Sequence, residues 1–118
     1  MKIKNQRGFT LTELLISLFI LSVVLLALST MVYSVMRATA QSKGMATATT
    51  LAQDRMESLK NTSFSSLASG SDSTSLGNIT YNRTSTVITV GNIKTITVAV
   101  SWTDRLPHNV SITTVRGE

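Results

Sequence analysis

From Leu14 to Met36 the chain reads LLISLFILSVVLLALSTMVYSVM, 23 residues without a charge. As a helix this run extends about 34 Å at 1.5 Å per residue. That is enough to span a bilayer with some tilt. After Met36 the pattern changes but does not break. Residues 37–60 contain no proline and a single glycine, Gly44. Met45, Ala48, Ala52, Met56 and Leu59 recur at steps of three or four, which predicts an apolar stripe along one helix face. Gln53, Asp54, Glu57 and Lys60 fall mostly on the other side. Lys60-Asn61-Thr62-Ser63 predicts the helix end, with Asn61 as a left-handed cap. The helix is therefore expected from about Phe9 to Lys60, on the order of 75–80 Å long. Residues 9–36 would form its lipid half and 37–60 its amphipathic half.

Residues 61–118 read as a small head. The stretch 62–78, TSFSSLASGSDSTSLGN, has loop composition, either disordered or draped over the helix with Phe64 and Leu67 as anchors. The period then falls to two. Ile79–Arg83 and Thr84–Val90 are β-rich, and Gly91-Asn92 is a two-residue hairpin signal. Along Lys94–Trp102, Ile96, Val98, Val100 and Trp102 share one face, while Thr95, Thr97 and Ser101 share the other. A loop over Thr103–Asn109 holds Pro107 and a solvated His108, and Val110–Val115 forms a last strand. Antiparallel strands with one apolar face need a cover, and the stripe at 45–59 supplies one. The expected fold is α+β: a long N-terminal helix, half membrane-spanning and half amphipathic, packed on a small antiparallel sheet. Its expected head core comprises Met45, Ala52, Met56, Leu59, Val98, Val100, Trp102 and Ile112.

Charge adds a distinction between the two ends. The formal net charge is +5, but three of the eleven basic residues, Lys2, Lys4 and Arg7, precede Gly8. Without the first eight residues, 8 basic and 6 acidic side chains remain, a net of +2. The high pI thus belongs largely to the start of the chain, and nucleic acid is not an expected partner. The chain has no cysteine and one histidine, so it holds neither a disulfide nor a thiolate metal site. Asp72, Asp104 and Glu118 are too scattered for a calcium cage. No combination of nucleophile, base and orienter is evident. No catalytic activity, metal or cofactor is expected.

The junction before the apolar run carries the chemistry. It is basic up to Gly8, aromatic at Phe9, and bears one carboxylate, Glu13, at the edge of the run. A carboxylate there is costly in lipid and needs a reason. A secretory signal with a small-x-small site at Ala38-Thr39-Ala40 would have a shorter apolar region and no carboxylate. A simple single-pass anchor accounts for the run, including Leu14, Leu15, Phe19, Leu25 and Met36, but leaves Glu13 and the Gly8-Phe9 junction unexplained. Three basic residues before the run, against Arg37 and Lys43 after it, favour a cytoplasmic N-terminus.

Arg7-Gly8-Phe9-Thr10-Leu11-Thr12-Glu13-Leu14-Leu15 resembles the prepilin cleavage and methylation motif of type IV pilins, over roughly residues 1–36. The resemblance implies that a bacterial prepilin peptidase cuts after Gly8, removing leader 1–8, and methylates the new amine of Phe9. It also implies that Glu13 pairs with the Phe9 amine of a neighbouring subunit and so sets register. The implied partners are the peptidase, other pilin or pseudopilin subunits, the inner-membrane assembly platform and the inner membrane itself. The head would be periplasmic or extracellular, then part of a pilus or pseudopilus. Thr50-Leu-Ala-Gln-Asp-Arg-Met-Glu-Ser-Leu59 is similar to a segment of PilV-type minor pilins and of minor pseudopilin I of type II secretion. The implied role is a structural minor subunit in priming or tip assembly. The alternatives are a major fibre subunit, or a tip module binding DNA or surfaces.

Overall fold

The computed structural model describes residues 8–118. Lys2, Lys4 and Arg7, and with them all of the expected leader except Gly8, lie outside the described residues. The elements follow in the order α1 (Leu11–Lys60), a 3₁₀ turn (Phe64–Ser66), β1 (Gly70–Leu76), β2 (Ile79–Val90), β3 (Ile93–Thr103) and β4 (Pro107–Gly117). The chain divides into two compact units, one ending at Ala40 and one spanning Gln41–Glu118.

In the first unit α1 begins at Leu11 rather than Phe9. The cause is local. The Glu13 amide donates to Thr10 Oγ1 at 3.2 Å, and the Leu14 amide to the Thr10 carbonyl at 3.2 Å. Thr10 is thus the N-cap, satisfying an amide that the first turn leaves without a partner. Phe9 lies outside the helix, so it does not share a helical face with Glu13, as a start at Phe9 would require. From Leu11 to Ala40 every residue is exposed. Hydroxyls inside the apolar run bond back to their own helix: Ser22 to the Leu18 carbonyl, Ser29 to Leu25 and Thr30 to Ala27, each at 2.8 Å. These groups therefore carry no unmet polar demand into an apolar medium.

In the second unit four antiparallel strands lie in the order β1-β2-β3-β4. Their inner face meets the end of α1. Ala48, Ala52, Met56 and Leu59 from the helix join Leu67, Tyr81, Ile96, Val98, Val100 and Trp102 in one buried cluster. Each large aliphatic side chain removed from water there contributes about 1.5–3 kcal/mol. Gly44, Ala48 and Ala52 put small residues on the row that faces the sheet, and the Trp102 indole lies against Gly44. Val87, Val110 and Ile112 pack half-buried at the margin.

Several expectations are corrected. Met45 is not a core residue but 45 % exposed. The Trp102 indole lies against Gly44, and Met45 sits about 100° further round the helix, off the covered row. Residues 62–78 are neither loop nor disordered throughout: they form the 3₁₀ turn and an edge strand. β1 is polar because only its inner side meets the protein, and it pairs along its length with β2, from Gly70 opposite Ser85 to Leu76 opposite Ile79. Gly77-Asn78 closes that hairpin with Gly77 at φ +62°, and Gly91-Asn92 closes the next with Gly91 at +59°. Glycine first, with positive φ, is the signature of a type II′ turn.

The strands expected at 79–83 and 84–90 are one strand, and Pro107 begins β4 rather than lying in a loop. Proline is tolerated at the first residue of an edge strand. Asn61 is not left-handed, since no residue other than glycine has positive φ among the described residues. The helix end is capped instead by Arg116, whose Nη1 donates to the carbonyls of Lys60 (2.8 Å) and Thr62 (2.7 Å).

Candidate functional site

The residues singled out at the junction are all open to their surroundings. Gly8 is exposed, and a Cβ built on it would meet nothing within 4 Å. Its φ is not in the left-handed region, which only Gly77 and Gly91 occupy among the described residues. Neither space nor backbone conformation within the described chain requires glycine there.

Phe9 is 78 % exposed. Glu13 is exposed too, in the first turn of α1. A carboxylate there faces the positive end of the helix dipole. Thr10-x-x-Glu13 also matches a capping box, in which the N3 side chain reaches back to the N-cap amide. This local role was legible in the sequence as a Thr/Glu spacing, and it sits beside the charge-pairing role that the resemblance implies. Leu14, Leu15, Phe19, Leu25 and Met36 are exposed by 52 %, 60 %, 70 %, 54 % and 67 %. The helix is long and apolar enough to cross a membrane, and the protein itself buries none of its most apolar window.

The head places its polar side chains in structural roles. Lys94 is buried on the inner face, where its Nζ donates to the carbonyls of Phe64 (2.6 Å) and Leu67 (3.4 Å) and lies 4.7 Å above the Phe64 ring. It thereby fastens the 3₁₀ turn to the sheet. Arg83 grips Asp72 with two hydrogen bonds, one from Nε to Oδ1 at 3.0 Å and one from Nη2 to Oδ2. That grip, with the charges of Arg83 and Arg55, holds the Asp72 carboxyl below its ordinary range.

His108 is half-buried rather than solvated. It stacks on Trp102 at 5.2 Å, and its Nε2 lies 3.3 Å from Asp104 Oδ1. Asp104 also accepts from the Arg105 and Leu106 amides, and these bonds lower its pKa further than His108 does. Among the described residues no group of three or more His, Cys, Asp or Glu could hold a metal ion. An open groove between α1 and β4, lined by Gln53, Met56, Glu57, Lys60, Asn61 and Ile112, encloses no buried titratable group.

The chain matches the family model of the prokaryotic N-terminal methylation motif over residues 3–29. The match supports a type IV pilin-like protein and implies processing by prepilin peptidase and assembly with other pilin subunits. Chains with this motif are structural rather than enzymatic. The motif and the long apolar helix fit membrane anchoring followed by incorporation into a pilus. No curated protein and no solved structure matches the chain.

Proposed function

We propose that this type IV pilin-like chain is a minor pilin or pseudopilin, acting in the priming or tip of a filament rather than as its bulk subunit. The observation that carries the reading is the exposed Gly8-Phe9 junction beside an apolar helix that its own protein leaves uncovered. Hydrolysis of the Gly8–Phe9 peptide leaves a carboxylate on Gly8 and an amine on Phe9. The amine is then methylated, and the helix stays in the membrane. Glu13, next to lipid, is offset by the positive amine of a neighbouring subunit, which fixes register because only one axial position brings the two together. Lipid covers the helix before assembly, and other helices cover it afterwards.

Two features support the minor class. The segment Thr50–Leu59 is similar to that of PilV-type minor pilins and minor pseudopilin I. Many major pilins carry a proline in the membrane half of the helix, whereas the only proline here is Pro107 and α1 runs unbroken from Leu11 to Lys60. A major subunit would dominate sheared filaments, so abundance there separates the two roles.

Intact mass and N-terminal sequencing of the membrane-extracted protein test the proposal. The expected mature chain starts at methylated Phe9, and Gly8→Asp keeps its leader. A chain starting at Gln41 would point to an ordinary secretory signal. Retention of Met1–Gly8 in cells that contain the peptidase would reject the proposal.

A further inference from the structure

The ionisable side chains of the sheet are all on one side. Asp72 and Arg83 are in register with buried Val100, His108 with buried Trp102, and Arg116 with buried Lys94. Since side chains alternate along a strand, all five belong to the inner face. The outer face holds no ionisable residue on any of the four strands. Soluble surfaces ordinarily carry charge at about a quarter to a third of positions.

Hydroxyls and amides fill most of this face. Thr86, Thr97 and Thr113 stand side by side across three strands, with Thr97 and Thr113 hydrogen-bonded through their hydroxyls at 3.1 Å. At the Gly91-Asn92 end the face turns apolar. Ile88, Val90, Ile93 and Val115 there are 57 %, 72 %, 50 % and 64 % exposed. Charge depletion together with clustered exposed aliphatics is the composition of an interface core.

We infer that this face binds the same face of a second copy of the chain. A neutral face meets its own copy without like-charge repulsion, and a two-fold axis makes such a contact self-complementary. The size also fits. Four strands at about 4.8 Å, the longest about 37 Å, offer about 600–700 Å². Two copies then bury about 1,200–1,400 Å², within the range of specific interfaces. β-branched rows of this kind pack sheet on sheet at about 10 Å. A nucleic acid would want cations and an aromatic platform, and here Lys94, Arg116, Tyr81 and Trp102 all lie on the inner face. The pairing goes beyond the proposed processing and needs neither leader removal nor methylation.

The absence of cysteine makes the test clean. The full chain carrying Thr84→Cys, Thr86→Cys or Thr113→Cys is treated, in its own membranes, with a short bismaleimide. A product of twice the chain's mass is expected, severalfold above that from Ser58→Cys on the exposed side of α1. It should persist in a Gly8→Asp background, and be lost when Thr97→Lys or, separately, Ser111→Lys is added. Unchanged Trp102 emission shows that those lysine variants still fold. Monomer only, an adduct of another mass, or equal dimer from Ser58→Cys overturns the pairing, whatever the mass of the mature N-terminus shows about cleavage.

Discussion

Gly44 of the helix and Trp102 of β3 occupy the same space: a Cβ added at Gly44 would stand 3.1 Å from the indole Nε1. The helix gives up side-chain packing and some propensity at Gly44 so that the largest side chain of the core can lie against its backbone. Gly44→Ala sets two effects against each other. Alanine gains about 1 kcal/mol of helix propensity, while the indole must give way by a few tenths of an ångström. We expect a net change near zero. Gly44→Leu adds volume that the site cannot absorb and should cost about 1–3 kcal/mol, with a red shift of the single tryptophan's emission. Chemical denaturation of the detergent-solubilised full chain, followed by that emission, reads both. A Gly44→Leu protein as stable as the parent would show that the indole does not need this contact.

Arg116 ties the last strand to the end of the helix through the carbonyls of Lys60 and Thr62. Hydrogen bonds from a charged donor contribute about 1.5–3 kcal/mol, and less where water can replace them. Arg116→Ala should therefore destabilise the head by about 1–2 kcal/mol. Amide exchange should rise first at Asn61 and Thr62, whose amides bond to Glu57 and Leu59. Uniform loosening of the sheet with no local effect would assign Arg116 a general packing role instead.

The intermolecular role proposed for Glu13 can be separated from its place in the first helical turn by glutamine. Glutamine serves at N3 of a capping box as glutamate does, but it cannot pair as an anion with an amine. We expect Glu13→Gln to be cleaved and methylated normally yet to enter filaments poorly, and Glu13→Val, which also lacks the charge, to do the same. Immunoblots of sheared filaments against membranes give the ratio. Normal incorporation of Glu13→Gln would leave Glu13 as a cap alone.

Asp72 predicts a pH dependence. Its folded pKa is lowered from 3.8, first by the hydrogen bond from Arg83. A depressed carboxyl pKa adds stability that is fully present above the unfolded value and is lost as pH falls through the folded one. The pair is partly solvated, with the Asp72 side chain 38 % exposed. Its worth at neutral pH is therefore about 1 kcal/mol or less. Asp72→Asn should lower the Tm slightly at pH 7 and converge with the parent well below pH 3.8. A difference in Tm that does not change with pH would remove this ion pair as its source.

The sequence alone determined the parts that depend on local pattern. A 23-residue uncharged run predicts a helix long and apolar enough to cross a bilayer, because lipid satisfies no backbone group and a helix satisfies its own. The alternation Ile96, Val98, Val100, Trp102 fixed both a strand and its inward face, since one step along a strand reverses every side chain. Gly91-Asn92 was an equally local signal, a two-residue turn between β-rich runs that the structure closes with Gly91 at positive φ.

Tertiary structure decided the rest. Residues 70–76 are a strand only because β2 offers its hydrogen bonds, and nothing in GSDSTSL declares that partner. Met45 lies off the core and Gly44 lies against it, because an indole 58 positions away along the chain packs on the Gly44 backbone. Arg116 became a helix cap for the same kind of reason: only folding brings a residue near the chain's end to the carbonyls of Lys60 and Thr62. Periodicity states which way a side chain points, whereas the contact it makes depends on segments that the folded topology brings together.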